Sequence, residues 1–380
     1  MGADIHQTCS ALKRLVIGAT LVAMMWIVLD SRDTGIVAGS GDGIVATPIA
    51  GAEVASEAPV PAGVAGTVGP ATLSIAVTGE LLPHPSIVEW AARYGAERGR
   101  EYDFGALFAD IAPLVSAADL AICHVEVPVA PPGKPLSGYP LFAIPAAIAD
   151  GIHDTGWDRC STASNHSNDQ GTAGIVATLD ALDAAGVAHS GTARSLEEAM
   201  SPGITDIGGA EVAHLSYTWG YNADPPAEFW MANVIDADRI FNDAALARAA
   251  GADLVVVSLH WGDQYDTVGN DDQRALAARL LASSDIDLIV GTGPHVLQPI
   301  ERYGDEYALL SVGNLIANQG SERPYTYDGV VATITFDRRA DGRYVAEPPV
   351  IEPTWYDRDV GRVRLAPATS AERTRSIIGD

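Results

Sequence analysis

From Ala71 onward, short apolar runs alternate with stretches whose apolar residues recur every three or four positions. The runs "LSIAVTG", "DLAICHV", "RCSTAS", "VAHLSY", "LVVVSLHW", "DLIVG" and "YALLSVGN" predict strands. Between them the period becomes helical. Thr172 to Ala185 predicts one amphipathic helix, with Gly186 as its stop, and Asp271 to Ser283 predicts another. Strands alternating with helices imply an α/β sheet assembled from βα units. After Phe336 the period fades, and Pro348 to Asp380 reads as a poorly patterned tail.

The chain before Ala71 is patterned differently. Lys13 and Arg14 precede the apolar run Leu15 to Leu29, which Asp30 ends. A positive flank and a run shorter than the roughly 20 residues of a comfortable span fit a signal-peptide core or a short anchor. Either one sends the rest of the chain out of the cytoplasm. Ser31 to Pro70, rich in Gly, Ala, Val and Pro, reads as a tether. The expected organisation is a signal or membrane segment over 1–30, a linker over 31–70, a domain over 71–347 and a tail over 348–380.

Composition narrows the function. The 380 residues carry a formal net charge of −26, which excludes nonspecific nucleic-acid binding. An anionic substrate would need a local cation, from an Arg or a metal. Cys9, Cys123 and Cys160 form no Cys-x-x-Cys motif, which excludes a zinc-thiolate site. Cys123 and Cys160 fall in predicted strands and read as buried free thiols.

The strand ends carry the candidate chemistry. "LSIAVTGE" ends in Glu80, with His84 close behind, and "DLAICHVE" ends in His124 and Glu126. "STASNHSNDQG" holds Asn165 and His166; "LVVVSLHWG" brings His260, "DLIVGTGPH" His295 and "LLSVGN" Asn314. In open α/β sheets, ligands bind outside the carboxyl ends of strands. Carboxylate, imidazole and amide oxygen are donors for a hard or borderline divalent cation. A single strand-end His is more often structural, and Asn165-His166 could cap the helix near Thr172. The recurrence at successive strand ends favours a site.

These stretches resemble the CapA-type capsule-synthesis proteins, linked to bacterial poly-γ-glutamate capsules. That family is similar to the calcineurin-like metallophosphoesterases. The matching pieces, from "VTGELLPHPS" through "GWDRCSTASNHSNDQG" and "IVGTGPHVLQPIERY" to "LLSVGNLIANQ", keep the family's order between Leu73 and Thr335. The resemblance implies an α/β sandwich of two β-sheets flanked by helices, holding one or two divalent metal ions. It implies Glu80, Glu126 and His295 at a first metal, with His84 as a further candidate. Asn165, His260 and a bridging Glu126 fall at a second metal, and His166 beside the leaving group. Two positions depart from the pattern: Glu80 stands where the family has Asp, and Gly293 where it has the first His of a Gly-x-His-x-His motif.

The function implied is that of an extracytoplasmic, metal-dependent hydrolase or transferase in capsule or envelope-polymer synthesis. Its partners would be the polymer or a phosphorylated or acyl-linked precursor, and the membrane through the N-terminal segment. The alternative is a non-catalytic, membrane-tethered module that handles the anionic polymer. A secreted sugar-binding protein using Trp219, Tyr221, Trp230 and Trp261 as stacking platforms is a third reading, against which those aromatics pack in core or lid.

Overall fold

A computed structural model describes residues 69–379. The expected signal or anchor segment, and the linker up to residue 68, lie outside the described residues. Among these residues no helix is long and apolar enough to cross a membrane.

The chain first lays down β1 (Thr72–Leu81), α1 (Pro85–Glu97), α2 (Gly105–Phe108), α3 (Ala112–Val115) and β2 (Leu120–Val125). There follow α4 (Ile148–Thr155), β3 (Arg159–Ser161), α5 (Gly171–Ala185), β4 (Ala188–Ser190), α6 (Leu196–Ala199) and β5 (Ile204–Ile207). The middle of the chain gives β6 (Ala210–Thr218), α7 (Ala237–Ala249), β7 (Leu254–His260), α8 (Asp271–Leu281) and β8 (Leu288–Thr292). Then come β9 (Ile300–Tyr303), β10 (Glu306–Leu309), β11 (Asn314–Ile316), β12 (Asp328–Arg338) and β13 (Tyr344–Ala346). The last elements are β14 (Val350–Asp357), β15 (Arg362–Leu365) and α9 (Ala368–Ile378).

Two sheets result. One runs β15-β14-β12-β1-β2-β3-β4, with β11 also paired to β1 and β13 to β12; the other runs β5-β6-β7-β8-β10-β9. The strands β1, β2, β3 and β4 pair in parallel, as do β6, β7, β8 and β10. Period-two alternation builds the layers. Leu73, Ile75 and Val77 of β1 and Leu254 and Val256 of β7 enter one apolar core with residues of both sheets. The intervening Ala76 faces a second core with Ile87 and Leu107. Val255 and Val257 face a third with Ile240 of α7 and Leu280 of α8. Parallel strands buried on both faces read as unbroken apolar runs, which is why "LVVVSL" is legible. The described residues thus form the expected α/β sandwich of two sheets flanked by helices.

Two expectations need correction. The segment 348–380 is no loose tail. Within it β14 pairs antiparallel with β12, β15 pairs with β14, and α9 buries Ala371 and Ile378. Exposed Val350 and a proline at 353, opposite Val330, conceal the strand pattern. The two internal cysteines are also not free. Cys123 and Cys160 are register partners on neighbouring strands and form a disulfide, with Cα atoms 4.5 Å apart. A register that opposes two Cys side chains is invisible along the chain.

Candidate metal centre

The parallel strands of both sheets deliver their carboxyl ends to one region. Glu80 lies next to last in β1 and is the register partner of His124 on β2. Glu126 follows β2 directly, and its backbone N–H donates to Leu81 O at 3.3 Å. His260 closes β7, and Gly293, Pro294 and His295 follow β8.

Glu80, Glu126 and His295 are all buried, and one donor atom of each lies within 4.8 Å of the others. His295 Nδ1 donates to one oxygen of Glu80, and the Gly293 N–H donates to the other. His295 Nδ1 stands 3.9 Å from Glu126. Both oxygens of Glu126 are buried and have no hydrogen-bond partner. Leaving such a carboxylate unpaired is costly, so its two oxygens are open to a ligand.

The electrostatics follow from the geometry. Burial favours the protonated form of Glu80, but the positive His295 outweighs it and holds Glu80 down at about 2. Burial depresses His295, yet Glu80 and Glu126 overcome this and raise it to about 9. Burial, then the charge on Glu80, pushes Glu126 well above the usual carboxylate range.

Asn165 and His260 form a neighbouring pair. His260 Nε2 lies 2.8 Å from Asn165 Oδ1. An amide oxygen only accepts, so Nε2 carries the proton. His260 Nδ1 lies 3.1 Å from His124 Nε2 and 3.2 Å from Thr292 Oγ1, and the two imidazole rings stack with centroids 5.1 Å apart. Burial holds His260 well below its ordinary value and His124 at about 4, so both are neutral. His295 with Glu80 and His260 with Asn165 are thus two hydrogen-bonded pairs, whereas Glu126 accepts no hydrogen bond.

His166 lies on the turn that opens α5. Its Nδ1 donates to Asp169 Oδ2 at 2.7 Å, and its Nε2 accepts from the Asn222 amide at 3.3 Å. His84 Nδ1 accepts the Asn318 N–H at 3.1 Å, and burial lowers its pKa to about 4. It lines the cleft and stands apart from the three-residue cluster.

Gly293 revises the idea of a missing ligand. Its φ is +112°, and a Cβ there would stand 2.5 Å from the Trp261 carbonyl oxygen. No side chain fits. The position acts through its backbone N–H on Glu80, whose arm is one methylene longer than Asp. The two departures from the family pattern therefore meet in one hydrogen bond.

Sequence reasoning missed Asp169, three residues after His166, although "NHSND" offered it. It also missed Tyr265 and Arg323, which share the cleft with His295 but sit in unpatterned loops. Asn314 ties the site together, with Nδ2 at 3.1 Å from His295 O and 2.9 Å from Thr326 O.

The sequence model of the family described as "Bacterial capsule synthesis protein PGA_cap" matches residues 74–319. The "PGA biosynthesis protein CapA" of Bacillus subtilis is 32% identical over 199 residues, 52% of each chain. The "Capsule biosynthesis protein CapA" of Bacillus anthracis is 25% identical over 263 residues, 66% of this chain and 61% of that one. The chain thus spans between half and two thirds of the length of these relatives. Among solved structures, the calcineurin-like phosphoesterase YfkN from Bacillus subtilis matches 80% of this chain and 96% of its own, with 14% identity and TM-score 0.43. A putative 5'-nucleotidase from Staphylococcus aureus gives 12% identity and TM-score 0.45 over 80% of this chain and 58% of its own. At such scores these two likenesses carry no argument.

Proposed function

The chain belongs to the bacterial capsule-synthesis family PGA_cap, and on that premise we propose that it is an extracytoplasmic, metal-dependent hydrolase or transferase of capsule or envelope-polymer synthesis. The observation that carries this reading is Glu126, a buried carboxylate with two unpartnered oxygens beside Glu80 and His295. This donor set suits a divalent cation, because two carboxylates and an imidazole neutralise and ligate it. Glu80, Glu126 and His295 would hold it, with Asn165 and His260 available to a second.

A divalent cation so bound supplies Lewis acidity and a water acidic enough to act as a nucleophile near neutral pH. The chain's own residues do the rest. Asp169 fixes the His166 ring by taking the Nδ1–H, so Nε2 is the atom that gives a proton to, or takes one from, the leaving group. Asn222 holds that Nε2 toward the cleft until substrate replaces it. The Cys123–Cys160 disulfide supports export, since such bonds persist in oxidising compartments.

Elemental analysis of the purified protein tests the reading. About one divalent ion or more per chain is expected, falling to background in Glu126→Ala. A metal-free wild type, or a Glu126→Ala protein with undiminished metal, would overturn it. Gly293, where no side chain fits and the family pattern has a His, favours a second reading, a polymer-handling module that binds without turnover. Full metal occupancy with no hydrolysis or transfer on any capsule precursor would select it.

A further inference from the structure

The C-terminal helix α9 lies beyond residues 74–319, the span that the family model matches, yet it reaches the backbone that holds the cluster. We propose that Arg373 of α9 is a positioning residue for the Glu80–Glu126–His295 cluster: by anchoring Asp328 it fixes the backbone that places Glu80 and His295. The inference rests on the reading of that cluster as the metal site and adds what fixes its geometry.

The anchor is an ion pair whose acid is buried. Asp328 opens β12 and is 1% exposed. Its Oδ2 accepts from Arg373 Nε at 2.5 Å, and its Oδ1 accepts from Arg373 Nη2 at 2.7 Å and from the Ser370 hydroxyl. Fork and carboxylate meet in bidentate geometry, which fixes direction as well as distance. Among the described residues Arg373 is the ion-pair partner of Asp328. Removing one member of a buried pair leaves the other charge uncompensated, so without Arg373 this carboxylate is driven toward water or a proton. The same guanidinium lies over the Tyr325 ring, 5.1 Å from its centroid, and so holds the turn that leads into β12.

A short run of contacts carries the anchor to the cluster. Gly329, next to Asp328, bridges Gly313. A Cβ at Gly329 would stand 2.3 Å from Asn314 O, so two main chains touch there with no side chain between them. Gly313 O accepts the Glu80 N–H at 3.0 Å. Asn314 Nδ2 donates to Thr326 O at 2.9 Å and to His295 O at 3.1 Å. The residues on either side of Asp328 therefore bear on Gly313 and Asn314, which hold Glu80 and His295 by their backbone. Close-packed main chain transmits strain, so a shift of Asp328 displaces the ligands it supports.

The test compares Arg373→Ala with Arg248→Ala. The control breaks another pair with a buried acid, Arg248–Asp287, which lies beside the start of β8 and away from His295 at its far end. Both variants leave a buried carboxylate unpaired, so both should melt below wild type. Two measurements on the full chain separate them: calorimetric titration of the metal-stripped protein with zinc, and amide hydrogen exchange of the metal-free protein by NMR. Arg373→Ala alone should weaken zinc binding, by about tenfold. It should also speed exchange at the Glu80 N–H and across 313–328 while the β7 amides stay protected. Arg373→Lys, which keeps the charge and loses the fork, should recover part of both, and Ser370→Ala should show the same changes more weakly. These two variants decide the matter if Arg373→Ala does not fold. Unchanged zinc affinity in Arg373→Ala, or an equal loss in Arg248→Ala, would overturn the proposal. Exchange that rises evenly over all strands would do the same, since it marks Arg373 as a source of global stability alone. A wild type that binds no zinc would sink the metal reading, and exchange at Glu80 and 313–328 would then decide the role of Arg373 by itself.

Discussion

Glu80 is held by Gly293: one oxygen of the buried carboxylate accepts the backbone N–H of the glycine, while the other accepts from His295. Because a Cβ at Gly293 would meet the Trp261 carbonyl at 2.5 Å, this contact belongs to backbone alone. Glu80→Asp shortens the arm by one methylene and cannot keep both bonds. A hydrogen bond to a charged group contributes about 1.5–3 kcal/mol, so a loss of about 2 kcal/mol is expected in denaturant melts, together with weaker metal binding. An Asp variant of wild-type stability and metal affinity would refute the coupling.

Gly293→Ala should be worse than an ordinary glycine substitution. It combines a left-handed backbone with a collision against main chain, at a cost of at least about 2 kcal/mol. Thermal unfolding decides it. An alanine variant melting with wild type would show that the loop after β8 yields easily.

Glu126→Gln separates a ligand role from a structural one. In metal-free protein the carboxylate has nothing to bond, so the neutral amide should be tolerated or raise stability slightly, within about 1 kcal/mol. With divalent metal present, wild type should gain melting temperature and the variant should not. Equal metal-induced stabilisation in both would remove Glu126 from the site.

The disulfide closes a loop of sequence separation 37 between neighbouring strands. Chain-entropy reasoning assigns it about 3–4 kcal/mol. Melting with and without reductant measures this, and Cys123→Ala/Cys160→Ala should match the reduced protein. Identical melts in the two conditions would show that the bond contributes nothing.

Away from the site, Asp287 and Glu306 should contribute a stability that is lost as pH rises from about 4 toward about 7, read as the difference between wild type and a Glu306 variant because the buried His84, His124 and His260 titrate in the opposite sense. Burial raises Asp287 to about 6; burial, then the charge on Asp287, raises Glu306 to about 7. A raised folded-state pKa stabilises fully below the unfolded value and loses that contribution as pH climbs through the folded value. Glu306→Gln should flatten that slope by on the order of 1 kcal/mol, after allowance for its exposed partner Arg343. A variant with the wild-type pH profile would contradict the assignment.

The chain alone determined the parallel core of both sheets. Strands such as β7 are apolar on both faces, and the helices α5 and α8 carry their own stops and caps, Gly186 and the Asn270–Gln273 box. It also brought Glu80, Glu126, Asn165, His166, His260 and His295 forward, because each stands at or just after the end of a predicted strand. Tertiary structure decided what local periodicity does not encode. The register that pairs Cys123 with Cys160 is one such fact, and the recruitment of 350–365 into the larger sheet despite Pro353 is another. The grouping of Glu80, Glu126 and His295, apart from the Asn165–His260 pair, came from the same level. So did the role of Gly293, which acts through a backbone N–H and leaves no mark in its own neighbourhood of sequence.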